Sequence, residues 1–392
     1  MTSAPGVDAT PASTPATKHF AALDGVRGMA VLMVFLFHYL NGARSSNVVV
    51  HVIGELNRGN WTGVVLFFVL SGFLITGILW DSHSDEHWWR KFFARRSLRI
   101  FPLYFLALLL VLLAAIPFGS VRGVLHGIWI PALFLENIPH LAGIAQNLPS
   151  PLPTFHFWSI AVEEQFYLIW PFLLAIQKNR AHAKLLCVAT FLVSLLFRIY
   201  IWESYPPEVQ IGFTAFLLTQ AGALAAGGWL AVSYRGDEWP RILRFAPWVG
   251  FVGLTGFAIC GIQARTFYST GKNMITLGLP LITLFFAALV AQALTPGVVC
   301  RFFSNRVLRW LGVISYGIYI FHVLLAEVIE WLSRKVAGAH GLAAYFAVRL
   351  VIAAVVSVSA ALLSFHFYEK QFLRLKKYFV PVPNGKALSG AK

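Results

Sequence analysis

Apolar stretches long enough to cross a lipid bilayer recur along almost the whole chain, separated by short polar segments. A helix of about 20 apolar residues spans a hydrocarbon core of roughly 30 Å. Inside such a core, only helices and closed barrels satisfy the backbone hydrogen-bonding groups. The chain is 58% hydrophobic and 12% charged, whereas soluble domains carry roughly 25% charged residues. The sequence therefore predicts an all-α polytopic membrane protein, with no segment left over for a sizeable soluble domain.

Hydrophobic length and polar breaks predict ten transmembrane helices around a polar intramembrane cavity. The segment 125–137 is short and interrupted by Pro131, so we expect it not to cross the membrane. Residues 1–20 are rich in Ala, Pro, Ser and Thr and are predicted to be a disordered tail. The predicted membrane domain covers 21–375, followed by a flexible tail, 376–392. The predicted spans are 24–41, 61–80, 100–118, 158–177, 184–202, 214–233, 246–264, 274–294, 310–332 and 344–367.

The formal charge of +15 comes from Lys and Arg residues clustered in short loops between the apolar stretches. Cytoplasmic loops of membrane proteins carry such an excess, so we expect both termini on the cytoplasmic side of the inner (plasma) membrane. The basic balance therefore indicates a lipid bilayer as partner and not a nucleic acid. The three cysteines lack CxxC spacing, so neither a zinc site nor another metal centre is predicted. The sequence carries no signal for oligomeric state.

Arg27 and His38 are two of the ionisable groups in the first predicted span. They are eleven residues apart, which places them within about 20° of one helix face and roughly 16 Å apart along the axis. Ionisable side chains at such depth are costly unless they face a protein interior or a water-filled cavity. Both are therefore candidates for function, and a neutral histidine bonded in a helix interface remains the alternative for His38.

Three consecutive polar residues, Glu163, Glu164 and Gln165, lie just inside another predicted span. Neighbours on a helix diverge by about 100°, so the three cannot all face water. In the ten-span topology, Glu163 is expected at a depth similar to that of His38. A carboxylate there would orient the imidazole for general-base catalysis. An acidic pair reaching the headgroups is the alternative.

The third candidate group is the arginine cluster Arg95, Arg96 and Arg99. Guanidinium groups bind phosphate oxygens in a bidentate manner, so the cluster fits a phosphorylated donor on the cytoplasmic side, with Tyr104 further along the same helix. Anchoring by the positive-inside rule explains the same charges.

Small and polar residues elsewhere are interpreted more simply. Gly63, Ser71, Gly72 and Gly77 in 61–80 favour close helix packing. Packing is also the preferred interpretation for Ser315, Tyr316 and Tyr319, and a bonded position in a helix interface for His322.

Five stretches, in this order, resemble the landmarks of the acyltransferase 3 family of membrane-bound acyltransferases. The first, an Arg followed eleven residues later by a His, is similar to the signature of the family's first helix. Together the stretches reach from residue 23 to about residue 375. They are LDGVRGMAVLMVFLFH, FFVLSGFLITGIL, RRSLRIFPLYF, FWSIAVEEQFYLIWP and ISYGIYIFH.

The resemblance implies an O-acyltransferase. Members move an acyl group, often acetyl from acetyl-CoA, to a hydroxyl of a sugar, glycan or related acceptor, frequently in the cell envelope. The required Arg and His of the family correspond to Arg27 and His38, the RxxR pair to Arg96 and Arg99, and the first acid of the EEQ stretch to Glu163. Some members carry a fused esterase-like domain, and this chain resembles the stand-alone form.

The residues and the resemblance lead to one mechanistic hypothesis. Acyl-CoA binds through its phosphates to the arginine cluster near Arg27, and His38, oriented by Glu163, activates the acceptor hydroxyl. An acyl-histidine intermediate is the alternative order of steps. The alternative function is a proton-coupled transporter that uses His38 and Glu163 as a relay.

Overall fold

The structure is a computed structural model that describes residues 20–40, 48–82, 85–269, 271–338 and 341–379. Within these ranges the backbone is helical and contains no strand, which confirms the all-α fold. The predicted tail 1–20 lies outside the described residues except for Phe20, as does 380–392. The helices are α1 Ala21–Tyr39, α2 Val48–Arg58, α3 Gly63–Ser82, α4 Trp88–Ala114, α5 Val121–Gly127, α6 Trp129–Ala132, α7 Pro139–Gln146, α8 Trp158–Ala175, α9 Arg180–Ser204, α10 Pro207–Phe213, α11 Leu217–Tyr234, α12 Trp239–Ala264, α13 Leu279–Ala293, α14 Val298–Phe303, α15 Arg306–Val313, α16 Ser315–Leu324, α17 Ala326–Ala337, α18 Gly341–Ser364 and α19 Lys370–Arg374.

Seven helices in the described part of the chain are long and apolar enough to cross a membrane, and two bent helix pairs raise the number to nine. The bent pairs are α10 with α11 and α15 with α16. Nine of the ten predicted spans thus correspond to such a helix or pair. The remaining one, 158–177, corresponds to the 18-residue α8, which is not among the candidates and carries the three consecutive polar residues. The segment 119–157 holds only the short helices α5 to α7, as expected for 125–137.

One predicted span, 310–332, is not a continuous helix. It divides into the end of α15, the ten-residue α16 and part of α17, and α15 and α16 meet at 67°. At the break, the Ser315 hydroxyl donates to the carbonyl of Gly312 at 2.9 Å. The bend directs α16 into the bundle, and this helix carries Tyr319 and His322.

Helix α3 is the central element of the bundle, and 78% of its most apolar stretch is buried. It packs most extensively against α11. A Cβ atom on Gly72 would lie 1.8 Å from the carbonyl oxygen of Leu224, and one on Gly227 would lie 1.9 Å from that of Val69. These two glycines therefore allow the backbones of α3 and α11 to touch, which confirms the packing interpretation of Gly72.

We expect Gly72→Ala to destabilise the protein, because the added methyl group has no room unless the two helices separate. Overpacked cores lose roughly 1–3 kcal/mol, so the thermal midpoint of the detergent-solubilised protein should fall. The matched control is Gly143→Ala in α7, where a Cβ atom meets nothing within 4 Å. An equal midpoint for the two variants would contradict the close contact.

The chain returns to the bundle after α19. Residues Leu375–Phe379 form a 3-10 helix against α4, and Arg95 Nη1 lies 3.5 Å from the carbonyl oxygens of both Lys376 and Phe379. The predicted flexible tail, 376–392, therefore begins too early, because its first residues pack on the helix that holds the arginine cluster.

Candidate active site

A polar cavity of about 110 Å³ lies between α1, α3, α4, α8 and α16. It brings together four of the predicted site residues, Arg27, Arg96, Arg99 and Glu163, from three separate helices. Among the described residues that line it, Glu163 is the single acid. The polar side chains around this cavity are Arg27, Ser71, Arg96, Arg99, Ser159, Glu163, Tyr167, Ser315, Tyr316 and Tyr319.

Glu163 acts as the counter-charge of the cavity. Its carboxylate accepts a hydrogen bond from the Tyr167 hydroxyl at 2.8 Å, and the same hydroxyl bonds to Ser71. The guanidinium carbon of Arg96 lies 5.2 Å from the centre of the Tyr167 ring. Arg96 and Arg27 are both close enough to Glu163 to attract it. One carboxylate among several guanidinium groups leaves a net positive cavity, which suits an anionic ligand.

A second cavity, of about 180 Å³, shares Arg27, Arg96 and Arg99 with the first. It extends toward the start of α4 and the end of α3, where Arg95 and Lys376 join its wall. The described residues around it include no acid. The two cavities thus form a cationic path that leads from the helix ends into the bundle.

Tyr104, predicted to contribute to the donor site, lines neither cavity. Its buried hydroxyl donates to the carbonyl of Pro131 at 2.8 Å and lies 2.9 Å from Oε1 of Glu136. Burial raises the pKa of Glu136 to about 8. Tyr104 therefore holds the 119–157 segment against α4, outside both arginine-lined cavities.

His38 does not meet Glu163. Its Nδ1 atom lies 2.8 Å from the carbonyl oxygen of Val34 and 3.3 Å from Nε2 of His322. Two residues that precede α8 reach this level. The ring centre of Phe155 is 6.1 Å from that of His38, and the ring centre of His156 is 5.4 Å from that of His322. Glu163 lies seven residues after His156, roughly 10 Å deeper. The expected pairing of carboxylate and imidazole is replaced by contacts between imidazoles.

We call His38, His156 and His322 the imidazole cluster. The ring centres of His38 and His322 are 4.9 Å apart, and His156 Nε2 lies 3.1 Å from the carbonyl of Ile320. The Tyr319 hydroxyl donates to the carbonyl of His156 at 2.9 Å and bonds to Ser159. Because Tyr319 and Ser159 also line the first cavity, they form the wall between that cavity and the imidazole cluster.

Sequence reasoning missed His156, Ser159 and Tyr167, although a signal was present. Together with Glu163 they are spaced three or four residues apart, and such a spacing places side chains on one helix face. The preference for packing at Ser71, Ser315, Tyr316 and Tyr319 was also wrong, since all four line the cavity. His322 is bonded in a helix interface as expected, with His38 as its partner.

Comparison with known proteins identifies the family. Residues 20–368 match the family model described as an acyltransferase domain, of the acyltransferase 3 type. The chain belongs to the acyltransferase 3 family. In this family member, the matched region contains the first cavity and the imidazole cluster, while Lys376 lies beyond it.

Several relatives of this acyltransferase 3 chain are named as O-acetyltransferases. It is 29% identical over 377 residues to the putative peptidoglycan O-acetyltransferase YrhL of Bacillus subtilis, which covers 90% of the chain and 55% of that protein. It is 29% identical over 318 residues to the peptidoglycan O-acetyltransferase OatA of Listeria monocytogenes, covering 78% and 49% of the two chains. A putative O-acetyltransferase of Staphylococcus aureus is 25% identical, with 91% and 57% covered. The chain thus spans about half the length of these relatives, and no solved structure shows significant similarity.

No metal centre is evident in the described part of the chain, where no group of three or more His, Cys, Asp or Glu side chains is arranged to hold an ion.

Proposed function

We propose that the chain is an integral-membrane O-acyltransferase that moves an acyl group, acetyl above all, from acyl-CoA on the cytoplasmic side to a hydroxyl of an envelope glycan. The observation that carries the proposal is the cationic path of the two cavities, which ends at a wall shared with the imidazole cluster. The names of the relatives support a glycan acceptor, with peptidoglycan as the first candidate.

The donor is assigned to the second, larger cavity, at the cationic end of the path. Arg95, Arg96, Arg99 and Lys376 surround this region, and charge-assisted bonds to phosphate are among the strongest in proteins. The guanidinium of Arg96 lies over the Tyr167 ring, and the charge of Glu163 attracts it. The loops at this end, between α4 and its neighbours, are rich in Lys and Arg, which supports a cytoplasmic location for it and for both termini in an inner membrane.

His38 is assigned as the general base. The acceptor hydroxyl gives its proton to His38 Nε2 while its oxygen attacks the thioester carbonyl carbon. The carbon–sulfur bond then breaks, and the leaving thiolate takes the proton back from Nε2. Arg27, on the same helix as His38, lines the donor cavity. Helix α1 therefore connects the donor cavity with the place where His38 would meet the acceptor.

Purified protein in liposomes tests the proposal. We expect acetyl-CoA to release free CoA only when muropeptides are present as acceptor, with radiolabelled acetate recovered on their sugars. The donor should be consumed only from the face that carries the basic loops. Cys300 is half-buried and lies in the short helix α14, within a basic segment between predicted spans, while Cys187 and Cys260 are buried. Labelling of Cys300 with an impermeant maleimide therefore reports that face.

Two results would contradict the proposal. One is consumption of donor from the opposite face alone. The other is proton-coupled solute flux without any loss of thioester, which would favour a transporter.

A further inference from the structure

We infer that His322 is the positioning residue of His38, taking the place that the sequence assigns to Glu163. This inference rests on the proposed function, because it gives the proposed base a fixed tautomer. Its basis is the 3.3 Å contact between His322 Nε2 and His38 Nδ1.

The partners of the two rings decide where the protons lie. His38 Nδ1 faces the carbonyl of Val34 at 2.8 Å, and a carbonyl oxygen only accepts, so Nδ1 carries the proton. His322 Nδ1 faces two carbonyls, those of Tyr319 at 2.7 Å and Ile318 at 3.1 Å, so it also carries a proton. The Nε2 atom of His322 is therefore an acceptor, and it receives part of the Nδ1–H bond of His38.

This arrangement leaves the Nε2 atom of His38 as an unprotonated base. Orientation of a catalytic imidazole through its second nitrogen is the task of the acid in a serine-protease triad. Here the partner is a neutral ring instead of a carboxylate. A neutral partner adds no charge to a buried site, which avoids the desolvation cost of a second ion.

The backbone holds His322 at this place. The Tyr39 hydroxyl donates to the carbonyl of His322, so two successive residues of α1 contact one residue of α16. Tyr39 is itself buried, and the guanidinium of Arg349 lies 5.3 Å from its ring centre. His322 is 1% exposed. The contact thus belongs to a fixed junction between α1 and α16.

The titratable groups packed around this junction are few. His156 faces His322 from the α8 segment, and Tyr319 precedes it by one turn on α16. Glu163 lies on the far side of the wall formed by Ser159 and Tyr319. Among the described side chains, His322 is therefore the one that bonds to the ring of His38.

The test compares His322→Leu and His322→Gln in the liposome assay with acetyl-CoA and muropeptides. We expect His322→Leu to lower kcat roughly 10- to 100-fold, the usual cost of losing an orienting partner. The KM for acetyl-CoA should stay unchanged, because His322 lines neither donor cavity. In His322→Gln the amide oxygen can accept the Nδ1–H bond, so most of the lost kcat should return.

The matched control is His366→Leu. His366 makes the same bond to the carbonyl four residues earlier, at 2.9 Å, but it is exposed in the π-helical turn that follows α18 and has no imidazole partner within the described ranges. This variant should behave as wild type.

Each outcome bears on one claim. Wild-type kcat in His322→Leu, or equal losses of kcat in the Leu and Gln variants, would overturn the positioning role. An inactive His38→Ala variant would still leave the proposed function intact. Full activity in His38→Ala would instead remove the assignment of His38 as the base, and the proposed function itself fails only if the wild-type protein transfers no acetyl group. If His322→Leu does not fold, the comparison of His322→Gln with His322→Asn decides, since the shorter amide cannot place its oxygen at the Nε2 position.

Discussion

Replacement of His38 by alanine is expected to abolish acyl transfer while the protein still inserts and binds its donor. General-base catalysis contributes roughly 10²- to 10⁴-fold to a rate, and the substitution removes the imidazole that is proposed as the base. The measurement is acceptor-dependent CoA release in liposomes, alongside binding of acetyl-CoA at equilibrium.

The affinity for acetyl-CoA should not change in His38→Ala, because His38 lines neither cavity. Unchanged binding of acetyl-CoA therefore serves as the internal control. Transfer at more than about a tenth of the wild-type rate, well above the range for loss of a base, would exclude His38 as the base. Acid quenching of wild-type protein during turnover also separates the two step orders, since an acetyl adduct on His38 would indicate a covalent intermediate.

Replacement of Arg96 by methionine is expected to raise the KM for acetyl-CoA roughly 10- to 100-fold with little change in kcat. A hydrogen bond to a charged group contributes about 1.5–3 kcal/mol, and each 1.4 kcal/mol changes affinity about tenfold. Arg96 lines both cavities, so its loss affects the donor directly. Arg96→Lys should fall in between, because it keeps the charge and loses the fork.

The control for Arg96 is Arg90→Met on the same helix. Arg90 is exposed, lies over the ring of Trp89 at 5.1 Å and lines neither cavity. A second comparison uses acetyl-dephospho-CoA, with which the effect of Arg96→Met should shrink if Arg96 binds the ribose phosphate. Equal KM values for Arg90→Met and Arg96→Met would return Arg96 to the role of a topological anchor.

The fold could be predicted from the sequence where the length of an apolar stretch alone decides the structure. The predicted span 246–264 lies within α12, and 274–294 coincides to within one residue with the helical stretch Met274–Ala293. The break in 310–332 could not be predicted, because the bend at Ser315 leaves the hydropathy of the stretch unchanged. Helix α8 shows the opposite case, since its polar triplet lowers the apolar character of a segment that nonetheless packs inside the bundle.

The site was predictable in part for the same reason. Arg27, Arg96, Arg99 and Glu163 lie around one cavity as expected, because a charged side chain within a membrane is costly unless it faces the protein interior. The partner of His38 was not predictable, because it comes from α16, whose direction depends on the 67° bend with α15. Relative depth between helices distant in the chain is fixed by packing contacts such as that of Gly72 with Leu224, and one sequence does not reveal them.

The return of Leu375–Phe379 onto α4 has a practical consequence for how the protein is handled. The backbone at Phe379 lies beside Arg95, at the edge of the cavity that we propose for the donor. An affinity handle or a second enzyme joined at Phe379 would therefore be attached beside the proposed donor entrance.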